Sequence, residues 1–300
     1  MRFPIISRSL IRVGVGLVWM VVCAFLFFSN LRLSKQFTGG IEFKLSTTQT
    51  ASQVKTDVMT KINDPNTRVT TTQGSDYINV LIQQEKQDET ALLKHNTTIQ
   101  SAYMNSLKEL AVVGPSIGKQ ISSTAFQAIV RGLILMALFI IFEFSKIRKF
   151  IQPRVLAVIT IFTMLFDILS PMGIYGIFMM VNQTVQVDVI FIIALLTTMG
   201  YSINDTIVVF DRVREHLEHD KNKSIGDVFE HSLWETMARS LMTSGSTLLV
   251  VIAMYALGTG DLKQFAFSMI FGILSGSFSS IFLAAPLAYL VMKGTKAGTK

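Results

Sequence analysis

An aspartate, Asp205, stands in the run Gly200-Tyr201-Ser202-Ile203-Asn204-Asp205-Thr206, inside an apolar stretch from about 187 to 210 that is otherwise almost free of charge. An aspartate at the centre of a bilayer costs about 2.5–3.5 kcal/mol on insertion scales. A side chain that expensive faces a partner or a wet cavity and serves proton or ion movement. Helical spacing places Thr198, Tyr201, Ser202 and Val209 on its face, a polar stripe to which Asn204 and Thr206 add further polar support. Burial favours the neutral acid and a nearby cation favours the carboxylate, so a site poised between the two binds and releases a proton. The competing reading is a structural acid hydrogen-bonded to a neighbouring helix.

Two more charges belong to the same question. Arg239 opens the fifth apolar run, in Trp234-Glu235-Thr236-Met237-Ala238-Arg239-Ser240-Leu241-Met242-Thr243-Ser244. Asp205 lies about 25 Å down its helix, near the leaflet by which Arg239 enters, so an ion pair is geometrically allowed. The alternative for Arg239 is an anchor that snorkels outward. Asp167, in Leu165-Phe166-Asp167-Ile168-Leu169, lies about 20 Å from the cytoplasmic end of its run. It is either a second step in one wet path or a group that bonds a neighbouring helix. Asp188 is expected as an N-cap.

Small and hydroxyl residues mark helix contacts. Gly272 and Gly276 form a GxxxG followed by Ser277, Ser279 and Ser280, and Thr243-Ser244-Gly245-Ser246-Thr247 is a second cluster. Both runs are assigned to packing. His216-Leu217-Glu218-His219 has metal-like spacing, but a solvated charged helix accounts for it, and no metal site is expected. No phosphate-binding loop, nucleotide fingerprint or nucleophile elbow occurs in the sequence. The expectation is a protein without cofactor or enzymatic activity, whose energised work draws on an ion gradient or a partner.

The elements that must hold these residues are membrane spans. Half the residues are hydrophobic and 16% are charged, against about 25% in soluble domains. Mean hydropathy is +0.48, and the apolar residues are bunched into long runs, which makes this an integral membrane protein. The single cysteine, Cys23, excludes an intramolecular disulfide and reads as a small buried thiol. A net charge of +7 does not signal nucleic acid, because the basic residues cluster at the ends of apolar runs. A nucleic-acid site needs them on one soluble face with stacking aromatics.

Six spans are expected, roughly 11–31, 123–145, 153–175, 187–210, 240–258 and 264–292, the last tilted or broken. The first reads as a retained anchor, since a small-x-small cleavage site is missing. Basic residues mark one side as cytoplasmic: Arg2, Arg8 and Arg12, then Lys146, Arg148, Lys149 and Arg154, then Arg212, Arg214, Lys221, Lys223 and Arg239, and last Lys293, Lys296 and Lys300. The short loops opposite hold only Lys263. The expected organisation is a cytoplasmic N-terminus and first helix (1–31), an extracytoplasmic domain (32–122), helices two to six (123–292) and a cytoplasmic tail (293–300). Within 32–122, strands are expected near 41–45, 68–72, 77–82 and 110–113. Helices at 50–62 and 88–109 complete a ferredoxin-like β-α-β-β-α-β order. The fold class is thus an α-helical polytopic membrane protein with a ferredoxin-like α+β domain between helices one and two.

Four blocks carry a family resemblance: Phe37-Thr38-Gly39-Gly40, Val113-Gly114-Pro115-Ser116-Ile117-Gly118, Gly200 through Glu215, and Arg239-Ser240-Leu241-Met242-Thr243-Ser244. In these the chain resembles the SecF subunits of the bacterial protein-export machinery, within the SecD/SecF family and the RND superfamily. The resemblance implies a subunit that pairs with SecD, associates with the SecYEG channel and often with YajC, and uses the proton-motive force to promote late translocation of exported polypeptides. It assigns proton transport to Asp205 and Arg239, with a less settled role for Asp167. Two departures stand out. Lys35-Gln36 replaces the Ile-Asp common in the family, and Phe166 replaces a frequent histidine. The initiator-like start and the tail suggest a subunit separate from SecD. A drug or lipid exporter of the same superfamily and a purely structural channel subunit are the rival readings.

Overall fold

The computed structural model describes residues 5–73, 77–84, 89–147, 152–182, 185–219 and 223–297. Arg2, Gly74, Ser75, Asp76, Arg148, Lys149, Lys221 and Lys300 lie outside the described residues. In chain order the elements are α1 (Ser9–Asn30, after a 3-10 turn), α2 (Lys35–Thr38), β1 (Gly40–Leu45), α3 (Ala51–Ile62), β2 (Thr67–Gln73) and β3 (Ile78–Gln84). Next come α4 (Glu89–Tyr103), β4 (Leu107–Val113), α5 (Pro115–Glu143), α6 (Pro153–Val181), α7 (Val189–His219) and α8 (Ile225–Leu257). The last helical run is α9 (Gly260–Ser279), a π turn (Ser280–Ala284) and α10 (Ala285–Ala297). Six of these helical segments are long and apolar enough to cross a membrane.

The helices outrun the spans read from hydropathy. A span ends where side chains turn polar, but a helix ends where its backbone loses the next hydrogen bond. Thus α5 starts at Pro115 rather than near 123, with proline at the first helical position, where an N–H would have no partner within the helix. Helix α8 starts at Ile225, where Ser224 Oγ accepts the Asp227 N–H at 3.1 Å. Arg239 therefore lies well inside a helix instead of opening one. The break expected in the last span is the π turn, which rephases the helix by a residue.

The chain forms two compact units. One comprises Asn30–Gln127 and Phe178–Val189. Its sheet has the order β2-β3-β1-β4, with every neighbouring pair antiparallel, as a split β-α-β fold requires. Alternation buries Ile41, Phe43 and Leu45 of β1 against Val54 and Val58 of α3 and Ile99 of α4. Helix α4 stops at Tyr103, not 109. Residues Leu107–Glu109 join β4 because β1 offers unpaired backbone along its whole length, and Lys44 pairs with Glu109 across the two strands.

The same unit joins two of the sequence blocks. Gly39 has φ 72°, and a Cβ there would stand 2.8 Å from Pro115 Cα. A Cβ on Gly118 would stand 2.7 Å from Gly39 N. Only glycines permit this backbone-to-backbone seat. Nearby, Val187 N–H donates to Arg32 O (2.7 Å) and Ser34 N–H donates to Val187 O (2.9 Å). The N–H of Val189, first residue of α7, donates to Gln36 Oε1 at 2.9 Å. Gln36 thus ties down the start of α7.

The other unit comprises Met1–Ser29, Ala128–Ile177 and Ile190–Lys300. Small residues set its helix spacing. A Cβ on Gly173 of α6 would stand 2.5 Å from Cys23 Cβ, and one on Gly176 would stand 2.7 Å from Leu26 O. Cys23 is buried in that contact. Outward faces of α5 and α8 stay apolar and exposed, with Leu135, Phe142, Met242 and Leu249 among them. Such faces suit lipid or another membrane subunit.

Candidate functional site

Helix α7 delivers its polar stripe to the bundle interior. Thr198, Ser202, Asp205 and Thr206 are all buried, and Asp205 is 3% exposed. Its surroundings are hydroxyls. Ser244 Oγ of α8 donates to Asp205 Oδ2 at 3.2 Å, and Ser244 Oγ meets Ser277 Oγ of α9 at 2.6 Å. Three helices thus meet through one carboxyl and two hydroxyls. Ser240 is buried one turn away on the same strip of α8.

Asp167 of α6, 1% exposed, receives the Ser202 hydroxyl on Oδ2. Thr206 Oγ1 meets Ser280 Oγ of the π turn at 3.1 Å. Among the described residues, no hydrogen bond connects the two carboxyls. Asp205 faces α8 from α7, whereas Asp167 reaches α7 from α6 through Ser202. The GxxxG seats α9 on this same stripe. A Cβ on Gly272 would stand 2.3 Å from Thr198 Cγ2, and one on Gly276 would stand 2.8 Å from Ser202 Cβ.

Other residues of the sequence reading fall elsewhere. Asn204 is exposed and, among the described residues, takes no part in the buried stripe. Tyr201 stitches α7 to α8, its hydroxyl donating to Thr243 O at 2.6 Å and meeting Thr247 Oγ1 at 3.1 Å. Arg239 is exposed and forms no ion pair with Asp205 among the described residues; its charge acts on the carboxyl through space. The allowed pair is therefore not made in this conformation, because the side chain keeps its charge near solvent.

Arg239 instead lines a crevice of about 590 Å³ between α7 and α8, together with Asp211, Arg212, Glu215, Glu235 and Thr236. The crevice begins at Ile207 and Val208, within one turn of Asp205. Arg212 spans it, with Nε 2.5 Å from Glu235 Oε2. Ser244, which bonds Asp205, and Ser277 and Ser280, which meet Ser244 and Thr206, stand in runs that the sequence assigns to packing. The available signal was their spacing: 240 and 244 share a helical face, as do 272, 276 and 280.

Comparison with known proteins meets this geometry. The family model for the protein export membrane protein SecD/SecF, C-terminal, matches residues 94–294. The chain belongs to the SecD/SecF family. Within it, the chain is 37% identical over 179 residues to the protein translocase subunit SecF of Synechocystis sp., covering 60% of this chain and 54% of that one. It is 31% identical over 278 residues to the SecF of Sebaldella termitidis, covering 90% of this chain and 85% of the relative. A crystal structure of SecDF from Thermus, described as a translocon-associated membrane protein, superposes with a TM-score of 0.78 at 26% identity. That match covers 98% of this chain and 39% of the SecDF chain, so the chain spans less than half of that relative. The SecD/SecF architecture of membrane helices with a small sheet domain is thus the architecture found here.

Proposed function

We propose that this chain is an auxiliary subunit of the Sec protein-export machinery, acting with a SecD partner to promote late-stage polypeptide translocation with the proton-motive force. SecYEG, and YajC with it, is the surrounding assembly. The protein is a multi-pass membrane protein; both termini face the cytoplasm and 32–122 faces outward, on the strength of the basic residues at one set of helix ends.

One observation carries the proton role. Asp205 is buried among hydroxyls, with no cation bonded to it among the described residues, within one turn of a charged crevice. A carboxyl held this way exists as neutral acid or as carboxylate, and each state suits a different environment. The neutral acid fits the buried hydroxyl cluster. The carboxylate draws on Ser244 and on the approach of Arg239, which the crevice allows. Transfer of one charge across the membrane yields about 2.3 kcal/mol per 100 mV. That is enough to bias a two-state packing of α7 against α8 without moving a polypeptide far per proton. Asp167 and Ser202 form a second polar contact on the same helix, and Thr198, Tyr201 and Thr206 support the stripe.

Asp205→Asn is the test. It keeps size and hydrogen bonding but cannot ionise. Export into vesicles carrying the chain with SecD is expected to lose its stimulation by a proton gradient, with assembly intact. Unchanged stimulation would return the acid to the structural-subunit reading.

A further inference from the structure

We propose that His216, His231 and Glu235 form a binding site for one divalent transition-metal ion, of the zinc or cobalt class, between α7 and α8 beside the crevice that Glu235 lines. One donor atom from each of the three lies within 4.8 Å of the other two. His231 and Glu235 are one helical turn apart on α8, so their side chains project together. His216 enters from the last turn of α7.

The spacing is the argument. Ligands about 2.0–2.1 Å from zinc at tetrahedral angles stand about 3.3 Å from one another. His216 Nε2 is 3.0 Å from Glu235 Oε2, and His231 Nδ1 is 3.3 Å from Glu235 Oε1. The two imidazole rings lie 4.7 Å apart between centroids, inclined by 56°. One ion between the two helices is within reach of all three residues, whose donor atoms lie within 4.8 Å of one another. Two imidazoles and a carboxylate are the donor set that borderline divalent ions select, and three protein ligands leave a position open to water.

Arg212 is the counter-argument and is part of the site's chemistry. Its guanidinium bonds Glu235 Oε2 and also Glu215. A carboxylate has about four lone-pair positions, so the guanidinium and a metal can share it. The cation lowers affinity without closing the site. His219, the partner suggested by sequence spacing, is not a ligand: its Nδ1 contacts Glu215 O in its own helix at 2.9 Å. The real partner of His216 sits on the next helix, which no motif along one helix reveals.

An ion here would tie the ends of the two helices that carry Asp205 and Ser244, yet the site stands independently of the export reading. The experiment is isothermal titration of the full-length chain, without a polyhistidine tag and in detergent, with Zn²⁺, alongside the visible spectrum with Co²⁺. The expected result is one ion per chain, a tetrahedral cobalt spectrum, and a loss of affinity of about tenfold or more in His216→Ala and in His231→Ala. His219→Ala serves as control and is expected to bind as the parent does. Absence of saturable binding by the parent, or binding that survives in both His216→Ala and His231→Ala, overturns the site.

Discussion

At the scale of single residues, the unusual feature is a buried carboxyl that, among the described residues, takes a hydroxyl partner and no counter-ion. Ser244 gives Asp205 one donor, and Arg239 contributes only charge at a distance. A through-space interaction depends on charge and separation, not on fork geometry. A bidentate contact does depend on the planar guanidinium. Arg239→Lys is therefore expected to keep gradient-stimulated export within about threefold of the parent, whereas Arg239→Gln loses most of it. Near-complete loss in the lysine variant would show that a direct pair forms during the cycle. Asp205 itself was legible in the sequence, because one charge in an apolar run is conspicuous. Ser244 was not, since it stands in five consecutive small polar residues and only cross-helix packing selects which of them meets the acid.

At the scale of elements, the contact between α7 and α9 has little tolerance. A methyl on Gly276 would press on the root of Ser202, which has no rotamer to retreat into, and Thr198 opposite Gly272 is β-branched and stiff. Gly245 on α8 faces open space instead. Gly276→Ala is expected to cost about 1–3 kcal/mol, as overpacking does, and Gly245→Ala to cost nothing by comparison. Thermal unfolding of the two purified variants in detergent measures the difference, and equal midpoints would refute the close seat. The GxxxG was visible in the sequence but its partner helix was not. The π turn was foreshadowed only as an irregularity in an overlong span. Its first residue, Ser280, meets Thr206 of α7, a contact between helices that spacing along one helix does not show.

At the scale of the whole molecule, the two units answer to different physics, one to lipid and buried hydroxyls, the other to water and exposed charges. The sheet unit was readable almost entirely, because alternation and turn residues act locally. Its widest misjudged boundary, at Leu107–Glu109, was decided by pairing with Leu45 and Lys44 of β1. That unit also carries acids whose titration is bound to its folding. Lys61, with Tyr103 beside it, holds the Asp57 carboxyl below the ordinary aspartate value of 3.8. The Asn66 N–H, with Thr67, does the same for Asp64, and Lys44 holds Glu109 below 4.5. For a depressed carboxyl the stabilisation is present above the ordinary value and is lost as pH falls through the lower, folded one. Acid below 3.8 is therefore expected to reduce the hydrogen-exchange protection of Ala51–Ile62 in the full chain, after correction for intrinsic rates. Asp57→Asn removes one of the titrating links, so its protection should start lower at neutral pH and fall less steeply in acid. An acid response identical to the parent's would mean that the link between Asp57 and α3 stability does not exist.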